Sequence, residues 1–335
     1  MVEGEKSKKY KKQIISISEK DRLMQKYADH LIFERKIDIN GCCIRLWTDK
    51  KDLRDMWDEN WFFMSENIRS HGRIIAISIG KKEPIVQFDP ISKTVFFFDC
   101  DYYGWIKSAA LALAGDILED NHHYYSIHGA LIDYDGKGIS IIGPSGTGKT
   151  TISYGLLRYK NTKLVADDWH FFKFFDGSGR KDQETEIIGY TSEKNTYIRA
   201  DLAATWPTYK NIFEISQIDK KGRAIVDITR IVGKGGVKKT TEIKGVVLLQ
   251  REKKEEIVRK LTASEALRYI ERNNYCNPHL LQHNSWKRKL RRRAFLKLFE
   301  NVDVYLVNTI ENPEETLDRI CKLFGIKKEL RELKI

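Results

Sequence analysis

Ile139-Ser140-Ile141-Ile142 runs directly into Gly143-Pro144-Ser145-Gly146-Thr147-Gly148-Lys149-Thr150, and a helical pattern from Thr151 to Tyr159 follows. The octapeptide satisfies G-x-x-x-x-G-K-[ST], the Walker A motif, and it lies between a strand and a helix as that motif must. Its glycines let the backbone curl so that N–H groups point inward at a phosphate, and the helix N-terminus adds partial positive charge. Lys149 is placed to bridge β- and γ-phosphates and the Thr150 hydroxyl to ligate Mg²⁺. The nucleotide-binding set is therefore Gly143, Pro144, Ser145, Gly146, Thr147, Gly148, Lys149, Thr150 and Thr151, and ATP and Mg²⁺ are the expected cofactors.

Outward from the loop, Asp135-Gly136 signals a turn before the strand, and Ser126 to Ile132 is an apolar segment before that turn. On the other side, Leu164-Val165-Ala166 ends in Asp167-Asp168, and strand alternation sends these two carboxylates in different directions. One can hold Mg²⁺ while the other accepts a proton from an incoming hydroxyl, the division that phosphoryl transfer needs. A solvated Asp-Asp pair opening a turn is the bland alternative.

These residues resemble the HPr kinase/phosphorylases and their relatives the phosphoenolpyruvate carboxykinases. Ile127-His128-Gly129-Ala130-Leu131-Ile132, the loop that follows, and Leu164 to Asp168 are similar to the HPr kinase catalytic core; the loop with Thr151-Ile152-Ser153, and Asp167-Asp168-Trp169-His170, are similar to the two kinase motifs of ATP-dependent carboxykinases. The likeness runs over residues 102 to 325 and is strong from 126 to 170. It implies an α/β fold of the α+β, mixed-sheet kind, largely antiparallel or mixed where a P-loop usually has a parallel sheet. It also implies Asp167 as general base with His128 near it, Asp168 and Thr150 as Mg²⁺ ligands, and Glu193, a second acidic position, as a further metal residue. Arg199 suits phosphate binding and Arg223 suits neutralising transferred charge. Homo-oligomerisation is implied as well. HPr kinases carry an acidic residue where Pro144 stands and a Gly-rich signature that Thr205-Trp206-Pro207 does not match, so the acceptor stays open between a protein serine and a small molecule.

The chain has 335 residues, 41% hydrophobic and 32% charged, with a net charge of +12. That is enough for one large or two ordinary domains and argues against disorder over most of the length. The expected division is a basic disordered tail over 1–12, an N-terminal α/β domain over 13–100 and the P-loop catalytic domain over 101–335. Within the second of these, helices are expected over Glu19–Leu31 and Lys51–Trp61, and strands over Cys42–Trp47, Ile74–Ile79, Ile85–Phe88 and Val95–Phe98. Trp105–Glu119 reads as a long helix. No stretch is apolar enough to span a membrane, no signal peptide follows the N-terminus, and the five scattered cysteines suit reduced thiols in the cytoplasm.

Trp286 to Phe299 reads as an amphipathic helix whose seven cations, between Lys287 and Lys297, have no acid among them. Trp286, Leu290, Ala294 and Leu298 share one face, expected to pack on the domain. The cations are either a solvated face or a surface for an anionic partner such as RNA, an acidic protein or a lipid head group. An RNA-associated NTPase, and a small-metabolite phosphotransferase of carboxykinase type, are the alternatives to a kinase. Cys276, His279 and His283 have metal-like spacing but lack a fourth ligand, and an accidental cluster is the simpler reading.

Overall fold

β-branched and aromatic runs between polar turns build the first sheet. The computed structural model describes residues 12–176, 185–219 and 222–333, so residues 1–11 of the basic tail lie outside the described residues, and Lys12 opens the first strand. The chain divides into two compact units, Met1–Ile117 and Leu118–Ile335.

The first unit contains β1 (Lys12–Ile14), α1 (Ile17–Lys26), β2 (Phe33–Ile39), β3 (Cys42–Thr48), α2 (Lys51–Asn60), β4 (Phe62–Phe63), β5 (Gly72–Ile77), β6 (Ile85–Asp89) and β7 (Thr94–Phe98). Most of α3 (Tyr103–Asn121) also belongs to it, whereas the sequence reading places that helix with the catalytic domain. The strands form one mixed sheet in the order β1-β6-β7-β5-β3-β2-β4. Asn40 and Gly41 turn β2 into β3 with φ of 53° and 81°, the positive values that a two-residue hairpin needs. Leu23 of α1 packs with Ile75, Ile77, Phe96 and Phe98 on one face. On the other face the α3 side chains Leu113 and Ile117 close onto Gly72, where a Cβ would meet Leu113 Cδ2 at 2.8 Å. The helix expected over Glu19–Leu31 starts two residues earlier and ends at Lys26, followed by a short 3-10 turn over Ala28–His30.

The second unit contains β8 (Tyr125–Ile127), β9 (Gly129–Tyr134), β10 (Lys137–Ile142), α4 (Lys149–Leu157), β11 (Thr162–Ala166), β12 (His170–Phe175), β13 (Glu186–Thr191), β14 (Thr196–Arg199) and α5 (Asp201–Thr205). After these come α6 (Ile212–Ile215), β15 (Gln217–Ile218), β16 (Arg223–Val226), α7 (Thr229–Val232), β17 (Thr240–Gln250), β18 (Val258–Lys260), α8 (Ala263–Arg272), α9 (Ser285–Glu300), β19 (Asp303–Asn308) and α10 (Pro313–Phe324). Its main sheet runs β11-β9-β10-β17-β13-β12-β8, with β19 and β18 attached beside β17, and β14, β16 and β15 form a separate small sheet. The fold is α/β with a mixed sheet, as the resemblance implies: β10 is parallel to β17 and antiparallel to β9. Because β11 is also antiparallel to β9, the C-terminal ends of β10 and β11 lie at one sheet edge. Open sheets of this kind bind ligands beyond such strand ends.

Alternation along buried strands feeds two cores. Ile139, Ile141, Val247 and Leu249 join α4 and α10 on one side, while Ile142, Val246 and Leu248 join α8 and α9 on the other. His170 at the start of β12 is buried between strands: its Nδ1 lies 2.9 Å from Gly129 O and its Nε2 3.1 Å from Ser140 Oγ. Burial pushes it down to about 4, so this histidine is a neutral strut. All five cysteines are free and buried, and no described helix is long and apolar enough to cross a membrane.

The basic helix differs from its expected packing. Ala294 and Leu298 are buried, but Trp286 is 63% exposed and the buried face includes Lys287 and Arg291. The cause is Glu119, 2% exposed at the end of α3, whose carboxylate takes Arg291 Nε at 3.0 Å and Arg291 Nη2 at 3.0 Å. Lys287 Nζ adds Asp120 at 3.0 Å. Arg292 pairs with Glu271 of α8 and Lys297 with Asp176. Acids from other elements therefore neutralise four of the seven cations, a pairing that local sequence does not display.

A buried carboxylate holding two buried cations is costly to break from one side only. Glu119→Ala should destabilise the protein by about 3–5 kcal/mol in denaturant unfolding, since the desolvated Arg291 loses its carboxylate and Lys287 keeps only Asp120. Arg292→Ala, at a pair with both side chains partly exposed, should cost far less. Equal losses from the two variants would contradict this ranking.

Candidate active site

The turn into the loop follows from steric necessity. A Cβ on Gly143 would lie 2.6 Å from Thr147 Oγ1 and 2.8 Å from Leu249 O, so only glycine lets the chain leave β10 against β17. Gly146 and Gly148 adopt φ of 84° and 93°. Thr147 Oγ1 donates to Pro144 O at 2.8 Å and closes the loop. Gly148 caps α4 in a left-handed conformation without a side-chain hydrogen bond, so the first-turn amides keep their capacity to face an anion.

Lys149, the first helical residue, folds back over this loop. Its Nζ donates to Gly143 O at 2.8 Å and to Pro144 O at 3.2 Å. Burial pushes its ammonium below the ordinary lysine value, against the opposing pull of Asp168, Cys276 and Asp167. A desolvated ammonium held on carbonyl oxygens is suited to meet a phosphate, whose charge would offset the burial. Gly143→Ala should weaken nucleotide binding by roughly tenfold or more, since a shift of the strand-to-loop junction moves every amide behind it. Calorimetric titration with ATP checks this, and wild-type affinity in a folded variant would show the close approach to be dispensable.

Asp167 and Asp168 lie in the bend that follows β11, where their exposures differ. Asp167 is 9% exposed, while the Asp168 side chain is 47% exposed. His128 Nε2 lies 3.4 Å from Asp168 Oδ1, so the ring is directed at the second carboxylate of the pair. The physical reason is on the other side of the ring, where His128 Nδ1 sits 2.9 Å from Cys276 O and fixes its direction. Because a carbonyl only accepts, Nδ1 carries a proton there. Trp169, 1% exposed, and His279 stack edgewise on His128 with centroids at 5.9 Å and 5.8 Å.

Glu193 lies in the loop between β13 and β14, and the preceding Ser192 hydroxyl donates to Trp169 O, which ties this loop to the Asp167-Asp168 segment. Arg199 and Arg223 have other ties. Arg199, 75% exposed, lies 3.5 Å from Asp201, and Arg223 is held by Asp219 at 2.6 Å and lies over Tyr197. The two arginines face each other across β14 and β16, within the small sheet. Thr205-Trp206-Pro207 serves packing: Trp206 Nε1 donates to Thr151 O at 2.8 Å and its ring lies under Arg158. Lys234–Gly236 forms a 3-10 turn.

Cys276 and His279, spaced like metal ligands, act here through a carbonyl and a ring face. No group of three or more His, Cys, Asp or Glu residues among those described is placed to hold a metal ion. Mg²⁺ asks less of a protein, one or two oxygen donors completed by water and phosphate. Thr150 and the half-exposed Asp168 are hard oxygen donors of that kind.

Together these features define an α/β protein whose mixed sheet carries a phosphate-loop sequence and an acidic pair at one edge. Comparison with known proteins finds similarity to HPr kinase/phosphorylases. The chain is 29% identical over 125 residues to the HPr kinase/phosphorylase of Lactobacillus johnsonii, covering 37% of this chain and 31% of that protein. It is 32% identical over 130 residues to that of Clostridium kluyveri, covering 39% and 33%. The chain thus spans about a third of the length of the curated relatives it matches. Among solved structures, the Hpr(Ser) kinase/phosphatase from Coxiella burnetii matches with a TM-score of 0.33 and 18% identity, over 60% of this chain and 92% of that one. No protein-family model matches the chain.

Proposed function

We propose that this protein is an ATP- and Mg²⁺-dependent kinase that transfers a γ-phosphoryl group to a hydroxyl, on a protein serine or on a small molecule. The observation that carries the reading is the placement of buried Asp167 at the strand end beside a loop in which Lys149 is half-buried over Gly143 O and Pro144 O. In this reading the loop amides and Lys149 bind the phosphates, and Lys149 leaves its two carbonyls to offset charge on the transferred group. Asp167, shielded from water, accepts the proton of the acceptor hydroxyl, and Asp168 is oriented by His128. When bound, Mg²⁺ would be held by Thr150 and Asp168 and would supply charge neutralisation on the phosphates. Glu193 would be a further acidic donor to the same ion.

The test is incubation of the protein with γ-labelled ATP, Mg²⁺ and fractionated cell extract, with proteins, RNA and small molecules separated before the label is followed. Label in one fraction, absent with Asp167→Asn, supports the kinase and identifies its acceptor class. Hydrolysis without labelled product, equal in both proteins, would overturn it.

A further inference from the structure

In the first unit, the sheet face that carries Ile75, Ile77, Phe96 and Phe98 turns cationic at one end. Lys36 of β2 stands opposite Arg45 of β3, and Arg45 stands opposite Arg73 of β5, giving three cations in register on three adjacent strands. Neighbouring strands are about 4.8 Å apart, and like charges directly opposite destabilise a sheet. A fold tolerates such a row where anions offset it.

The chain's own acids offset only part of it. Lys36 Nζ lies 3.6 Å from Glu66 Oε2. Arg45 Nε lies 3.2 Å from Glu34 Oε1, yet this buried nitrogen makes no hydrogen bond among the described residues, and Glu34 also accepts from Trp47 Nε1 at 2.8 Å. Asp89, two strands beyond Arg73, is occupied with Ser92 and the Ile91 amide. Arg73 is half-buried and has no ion pair among the described residues, and the exposed Arg69 in the segment leading into β5 adds to its field. Burial, then Arg45 and Arg69, push the Arg73 guanidinium below its ordinary value. His71 lies between Arg69 and Arg73, and its Nδ1 accepts from Cys43 N at 2.9 Å, which leaves the ring proton on Nε2 as a further donor.

We propose that Arg45, Arg69 and Arg73 form a binding site for a phosphate-class oxyanion, separate from the loop at Gly143. Guanidinium forks present paired N–H donors to tetrahedral oxyanions, and a dianion supplies both the charge and the acceptors for Arg73 and for the outer nitrogens of Arg45. A carboxylate supplies one charge and two oxygens; a phosphate can meet three forks at once.

The test uses the full chain with Lys149→Ala, which disables the other phosphate site, titrated calorimetrically with inorganic phosphate and with phosphoserine at constant ionic strength. Saturable binding is expected, weakened roughly tenfold or more by Arg73→Gln. Arg69→Gln, at an exposed position outside any strand, should weaken it severalfold without changing the circular dichroism spectrum, and carries the test if the Arg73 variant does not fold. Loss with both ligands places a phosphate monoester in the site; loss with inorganic phosphate alone restricts it to the free ion. Unsaturable binding, or affinity equal in both variants and their parent, would overturn the proposal. So would arginine-dependent binding of a short single-stranded RNA in the absence of phosphate binding.

Discussion

Lys149→Ala is expected to weaken ATP binding by about a hundredfold or more and to remove phosphoryl transfer. A charge-assisted contact to phosphate contributes on the order of 1.5–3 kcal/mol, and Lys149 would make more than one. The variant also frees Gly143 O and Pro144 O, which now accept from its ammonium and help hold the loop's curl. Because burial desolvates the ammonium, its removal should leave unfolding stability nearly unchanged, or raise it slightly. Binding is read by calorimetry and stability by thermal unfolding. A variant that keeps full affinity would remove Lys149 from the nucleotide site. One that loses affinity and also unfolds early would mean that the lysine shapes the loop more than it binds phosphate.

What was legible in the sequence is local. Gly143 to Thr150 sits between β10 and α4, Asp135-Gly136 turns β9 into β10 with φ of 48° and 86°, and Asn312 caps α10 by accepting from Glu315 N at 2.9 Å. In each case the residues that signal the feature also form it. The mixed sheet came from family resemblance, because strand pairing joins residues far apart in sequence and leaves no periodicity of its own. The same limit explains the basic helix: an i, i+4 apolar stripe at Trp286 is outweighed by Glu119, 168 positions before Lys287. It explains His128 too. Its ring is directed by the carbonyl of Cys276, which lies in a run of three non-glycine residues, Asn274, Tyr275 and Cys276, with φ of 49°, 55° and 52°. Left-handed backbone at a tyrosine and a cysteine has no compositional signal, and only the folded chain reveals which carbonyl it aims.

Asp167→Asn should leave ATP affinity within a few-fold of the parent while lowering transfer by about 10²–10⁴, the range that loss of a general base produces. The amide keeps the shape of the carboxylate, so the packing around a group only 9% exposed is preserved. It cannot accept the acceptor's proton. The separation of the two carboxylates makes the contrast informative: Asp168, half-exposed and 3.4 Å from His128, is assigned to Mg²⁺ instead. Asp168→Asn should therefore raise the Mg²⁺ concentration needed for half-maximal rate, and added Mg²⁺ should restore part of the activity. Added Mg²⁺ should do nothing for Asp167→Asn. His128→Asn, which removes the imidazole between Cys276 O and Asp168, should resemble the Asp168 variant in its Mg²⁺ response and not the Asp167 variant. If His128→Asn instead matched Asp167→Asn, with normal Mg²⁺ dependence and a collapsed rate, the proton would leave through the histidine and the roles of the two aspartates would have to be exchanged.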